Sequence, residues 1–154
     1  MDILFLKKNI FSIFFLSSLL FFQSDRIATE IGDYLKKGED YYRARDYKNS
    51  VIQFKNALTM NPSSKKALLG FAKSSFVAGE KKDAFESYKR ILKLDSKNRD
   101  ASLGLAIYFI SLEKFEESLK ILNPILESDP YDPDALVALS QIYLKIGKKE
   151  LALK

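Results

Sequence analysis

The chain has 154 residues, enough for one domain with a sizeable core, and 25 basic against 20 acidic side chains leave it at +5. It holds neither cysteine nor histidine, which excludes a disulfide framework, a thiolate metal site, a lipid-bearing N-terminal cysteine and the commonest general base. The lysines stand singly or in pairs among the acids, without a basic run interleaved with aromatics, so nucleic acid is not expected as a partner.

Residues 1–25 are read as a signal peptide or an N-terminal membrane anchor. Lys7 and Lys8 precede an apolar stretch, Ile10 to Phe22, broken only by Ser12, Ser17 and Ser18, and Gln23 to Arg26 restore polarity. As a helix this stretch would be about 20 Å long, short of the ~30 Å hydrocarbon core, which favours a cleaved leader. The absence of an Ala-x-Ala-like pair after Phe22 favours the anchor. A helix packed on the rest of the chain is the third possibility, disfavoured because apolar residues would point in every direction. Under either leading reading the rest of the chain is exported, to the periplasm or cell envelope of a bacterium, or held at the inner membrane by this segment.

From Ile31 onward a different order begins. Phe54, Tyr88 and Leu122 are separated by a constant 34 residues, as are Ala57, Ile91 and Ile125, and Pro62, Ser96 and Pro130. A period of that length marks a stacked helical repeat. The units are 31–64, 65–98, 99–132 and a partial 133–154. In the first, apolar spacing close to 3.6 places helix A over Ile31–Ala44 and helix B over Tyr47–Met60, with Asn61-Pro62-Ser63 as the stop. Ser63 or Ser64 caps the next helix. The second unit gives helices over Ser64–Ala78 and Lys81–Leu94. The third gives Asp100–Ser111 and Phe115–Ser128, the latter kinked at Pro124. Asp132-Pro133-Asp134 opens the fourth with a cap, a proline and an acid.

These residues resemble the tetratricopeptide repeat family, whose pattern places bulky, small, aromatic, small, bulky, Ala and Pro residues at positions 4, 8, 11, 20, 24, 27 and 32. The first unit carries Tyr34, Gly38, Tyr41, Ser50, Phe54, Ala57 and Pro62 at those places. The second carries Leu68, Ala72, Ala84 and Tyr88, and departs at Ser75, Ile91 and Ser96. The third carries Ala106, Phe109, Ser118, Leu122 and Pro130, and departs at Ser102 and Ile125; the fourth carries Leu136, Ser140, Tyr143 and Ala152. The resemblance implies an all-α fold, a right-handed α-solenoid of antiparallel helix pairs with three full repeats and a partial fourth, after an N-terminal apolar segment. It also implies a concave face lined by the A helices.

By that resemblance the groove residues are Lys36, Glu39, Tyr42 and Arg43 in the first unit, and Lys66, Leu69, Lys73 and Phe76 in the second. The third adds Leu103, Ile107 and Ile110, the fourth Val137, Gln141 and Leu144. Members that hold acidic chaperone tails carry a clamp of Lys, Asn and Arg; here its places hold Leu35, Glu39, Gly70, Asp100 and Gly104, so that ligand does not carry over. The groove then reads as basic at its N-terminal end and apolar beyond. It suits a protein or peptide segment that is apolar with some acidic residues. The alternative for Leu103, Ile107 and Ile110 is plain packing against neighbouring A helices, or against the chain's own N-terminal segment.

No catalytic residue, metal site or cofactor is expected. Asp129, Asp132 and Asp134 lack the glycine and distal Glu of a calcium loop and read as a turn and cap. Glu116 and Glu117, adjacent on a helix, point about 100° apart and make a poor acid–base pair. The expected function is a non-catalytic, exported scaffold for protein interactions. The alternatives are an accessory or carboxylate-based enzyme of the cell envelope, or a fragment of a longer solenoid. A full fourth unit would outrun Lys154, so Lys148–Lys154 is expected as a frayed stub of helix B. That leaves an apolar flank and self-association through the C-terminal repeat.

Overall fold

A computed structural model describes residues 3–148, with side chains from Phe22 onward. The described residues form seven helices and no strand: α1 (Ile3–Arg43), α2 (Tyr47–Met60), α3 (Lys65–Ala78), α4 (Lys81–Leu94), α5 (Arg99–Ser111), α6 (Phe115–Ser128) and α7 (Pro133–Lys145). The three B helices, α2, α4 and α6, begin and end where the apolar spacing and stop signals place them. Each pairs with the A helix before it, and each A helix also touches the next A helix along the chain.

Local chemistry fixes these boundaries. Ser64, Asn98 and Asp132, one period apart, cap α3, α5 and α7, each side chain accepting from the amide three residues on. The turns from helix A to helix B use a left-handed residue at another constant step: Arg45, Gly79, Glu113 and Gly147, with φ of 62°, 92°, 59° and 79°. Glycine adopts that conformation freely, whereas Arg45 and Glu113 hold it at a steric penalty. Pro124 lies inside α6, exposed, and the helix continues through it to Ser128.

Small residues let the helices of a pair approach. Position 20 is serine in the first and third units, and its hydroxyl donates to the position-8 carbonyl: Ser50 to Gly38 at 2.8 Å and Ser118 to Ala106 at 3.0 Å. Ser50 also shares a 2.7 Å hydrogen bond with Ser74 of the next unit. The core follows the repeat. One cluster joins Leu68, Ala72, Ala84, Tyr88, Ile91 and Ala101; a second joins Leu103, Ala106, Ile110, Leu122, Ala135, Ala138 and Ile142. Each spans the joint between successive units, so burial comes from stacking.

Helix A of the first unit does not start at Ile31. It is the last part of α1, which runs without a break from Ile3. Between Phe22 and Ile31 there is neither glycine nor proline to stop it. The side chains from Phe22 to Glu30 are all exposed, so this stretch does not lie on the repeats. Among the described residues no helix is long and apolar enough to cross a membrane. The side chains of Ile10 to Phe21, on which the leader-or-anchor reading rests, lie outside the described ones. So does the expected helix-B stub beyond Lys148, including Ala152.

Candidate functional site

The A helices lie side by side and form a groove with two hollows. The N-terminal hollow, about 370 Å³, is lined by Glu39, Tyr42, Arg43, Phe54, Lys66, Leu69, Gly70 and Lys73. The C-terminal hollow, about 380 Å³, is lined by Tyr42, Lys73, Phe76, Val77, Tyr88, Asp100, Leu103, Gly104, Ile107 and Asp134. Tyr42 and Lys73 belong to both and stand at their junction.

Six of the residues expected in the groove, Glu39, Tyr42, Arg43, Lys66, Leu69 and Lys73, therefore line the first hollow, and Phe76 and Ile107 line the second. Leu103 also lines the second hollow, whereas Ile110 is a correction. Leu103 touches the hollow but is only 8% exposed, and Ile110 is 4% exposed; both belong to the core between α5, α6 and α7. They sit where α7 covers α5, and apolar side chains at that joint gain more from packing than from facing solvent. Lys36 is exposed and lines neither hollow. Val137, Gln141 and Leu144 are exposed on α7, likewise outside both.

The floor comes from residues that the A-helix pattern omits. Phe54 of α2 and Tyr88 of α4 reach up between successive A helices, under Gly70 and Gly104. A Cβ on Gly70 would run into the Phe54 ring, and one on Gly104 would run into the Tyr88 ring. Both glycines occupy repeat position 6. At the corresponding positions of the third and fourth units stand Leu122 and Ala138, both buried in one cluster. The signal in the sequence is thus a pairing across units: aromatic with glycine, leucine with alanine. In an ordinary helix interior Gly→Ala stabilises by up to about 1 kcal/mol. Gly104→Ala should instead destabilise, by roughly 1–3 kcal/mol, because the new methyl group forces the buried Tyr88 ring to move. A thermal melt of the variant reads the sign directly.

The charges differ from a basic N-terminal end. Lys66 pairs with Glu39 across α1 and α3 at 2.9 Å, and Arg43 pairs with Asp40 at 2.9 Å, so two of the expected free cations are neutralised. Among the described residues Lys73 has no carboxylate within ion-pair distance. At the other end Arg99 meets three acids: both oxygens of Asp132 at 2.6 Å, Asp134 at 2.7 Å and Asp100 at 3.1 Å. These contacts push the Arg99 guanidinium further above its already high range. The same guanidinium, helped by the Ala135 amide, holds the Asp132 carboxyl down to about 2. The acids read from the sequence as a turn and cap do that work: Asp129 accepts from the Tyr131 amide and Asp132 caps α7. Burial first, then the neighbouring Tyr42 and Asp100, pushes the Tyr88 phenol upward, so it stays protonated.

Two sequence profiles described as tetratricopeptide repeat match the chain, over residues 35–99 and 78–134. No curated protein sequence matches it. Among solved structures, the chain is similar to a thermophilic TPR protein, TTC0263, of Thermus thermophilus, with 20% identity and a TM-score of 0.72 over 79% of this chain and 69% of that one. The Arabidopsis OM64 TPR domain gives 18% and 0.70 over 77% and 98%. The first TPR of Spaghetti (RPAP3), bound to the HSP90 peptide SRMEEVD, gives 18% and 0.69 over 77% and 94%.

Proposed function

We propose a protein-binding role for this chain, which belongs to the tetratricopeptide-repeat family. It acts as a non-catalytic scaffold that holds a segment of another protein in the groove between α1, α3, α5 and α7. The observation that carries this reading is the pair of joined hollows, floored by Phe54 and Tyr88 and walled by Leu69, Phe76, Val77 and Ile107. Such a trough offers apolar surface to an extended or helical segment and polar groups at its rim. The similar RPAP3 domain is bound to an HSP90 peptide, but the places of the cationic clamp for an acidic tail hold Leu35, Glu39, Gly70, Asp100 and Gly104 here, which supports a partner of another kind.

We further propose that the scaffold works on the far side of a bacterial inner membrane. Lys7, Lys8 and the apolar Ile10–Phe22 run support export. The unbroken passage of α1 into the first repeat supports an anchor that presents the groove close to the membrane surface. A photo-crosslinking residue at position 76, introduced into the chain in its source cell, tests both parts. The expected product is a covalent adduct with one protein of the envelope fraction, missing when the probe stands at exposed Tyr131. Mass spectrometry of the same chain should find its N-terminus between Ser24 and Thr29, or at Met1 in membranes. Equal labelling from both positions would overturn the groove reading, and an intact Met1 in a soluble cytoplasmic fraction would overturn export.

A further inference from the structure

We propose that the C-terminal hollow receives a basic side chain, Lys or Arg, of the partner segment, with Asp100, Asp134 and the Tyr88 hydroxyl as its hydrogen-bonding partners. This rests on the groove reading above and names the chemistry of its C-terminal half.

Two independent observations meet there. The first is a charge excess. One guanidinium, Arg99, faces the three carboxylates of Asp100, Asp132 and Asp134, which leaves the cluster two negative charges in surplus. Asp132 is buried and takes Arg99 on both oxygens, so the surplus falls on Asp100 and Asp134, the two members that line the hollow. Lys73 also lines the hollow but forms no ion pair with either, and with it counted one negative charge remains in surplus there. An acidic ligand would be repelled here, and a cationic one drawn in.

The second observation is the Tyr88 phenol. Tyr88 is only 3% exposed, yet its hydroxyl takes part in none of the side-chain hydrogen bonds among the described residues. No side-chain polar atom sealed from solvent lacks a partner among those residues, so this hydroxyl reaches the hollow. Gly104 keeps it open: a Cβ there would lie 2.8 Å from the phenol oxygen. A nearly buried hydroxyl aimed into a hollow and left without a partner is a group waiting for a ligand's donor or acceptor. Phe76, Val77 and Ile107 supply apolar walls above it. A long basic side chain fits this order, its methylenes along the walls and its charged head on the acids and the phenol.

The test uses the full ¹⁵N-labelled chain in nonionic detergent micelles and two capped probes, acetyl-Leu-Arg-Leu-amide and acetyl-Leu-Glu-Leu-amide. The arginine probe should shift the Gly104, Asp100 and Tyr88 amide signals, bind at least about tenfold tighter than the glutamate probe, and weaken as salt is added. Replacing Asp100 and Asp134 together by Asn should weaken it about tenfold. Tyr88→Phe, which keeps the ring and the packing, should weaken it roughly three- to fivefold at an unchanged melting temperature. Preference for the glutamate probe, or an arginine affinity unmoved by Tyr88→Phe and by the double Asn variant, overturns the proposal. If the glutamate probe shifts Lys66 and Leu69 while neither probe moves Gly104, the groove reading stands and this one fails. If no groove signal moves with either probe, both fail.

Discussion

Ile110→Asp should unfold the C-terminal half of the stack, and Val137→Asp should leave it standing. Ile110 is 4% exposed and packs with Ala106, Leu122, Ala135, Ala138 and Ile142 across the joint between the third and fourth units. Loss of a buried isoleucine alone destabilises by roughly 2–5 kcal/mol. A carboxylate in its place either ionises without a partner or takes up a proton at a further penalty. The whole fold is stable by only about 5–15 kcal/mol. We expect a loss of at least about 4 kcal/mol and a melting temperature lowered by more than about 10 °C. Val137, 56% exposed on α7, tolerates the same change within about 0.5 kcal/mol. Circular-dichroism melts of the two variants make the comparison. A melt for Ile110→Asp within two or three degrees of the parent would return this side chain to the groove.

That contrast also marks what the sequence can and cannot tell. The helix ends were legible because their causes are local: Ser64, Asn98 and Asp132 cap, Pro62 and Pro130 follow the stops, and each lies within a few residues of the boundary it sets. The exposure of the groove positions was not, because it depends on the next helix. Ile110 and Leu144 hold the same repeat position, yet the first is core and the second exposed, since α7 lies over α5. Tyr88 beneath Gly104 was missed for the same reason: the aromatic belongs to one unit and the glycine that admits it to the next. The left-handed turn at Arg45 and Glu113 carries no signature of its own and emerges only through the in-register glycines, Gly79 and Gly147. For α1 the sequence offered a change of composition at residue 25 but no stop signal, and the helix ignores the change.

Asp132→Ala should destabilise the chain by about 3 kcal/mol at neutral pH, and this difference should shrink to about 1 kcal/mol, the share of the cap, towards about pH 2. Two losses combine: the cap on the Ala135 amide, worth about 1 kcal/mol, and the twin charged hydrogen bonds from Arg99, about 1.5–3 kcal/mol before the partial exposure of Arg99 reduces them. Asp132→Asn keeps a capping oxygen and should lose only about 1–2 kcal/mol. Arg99 is not orphaned in either variant, because Asp134 and Asp100 remain, so the larger penalty for a stranded buried charge does not arise. The sign of the pH dependence follows from the depressed carboxyl. Asp132 titrates near 2 when folded, below the ordinary value of about 4 for the unfolded chain. Its charge-dependent contribution is complete above about pH 4 and is lost as the pH falls from there towards 2. Urea unfolding of parent and variant at the two ends of that window is the measurement. A difference that persists undiminished at about pH 2 would assign the effect to packing and remove the ion pair from the account. The same clamp fixes α7 against α5 and with it the spacing of Asp100 and Asp134. Acid should therefore loosen the C-terminal half of the groove before the first two repeats melt.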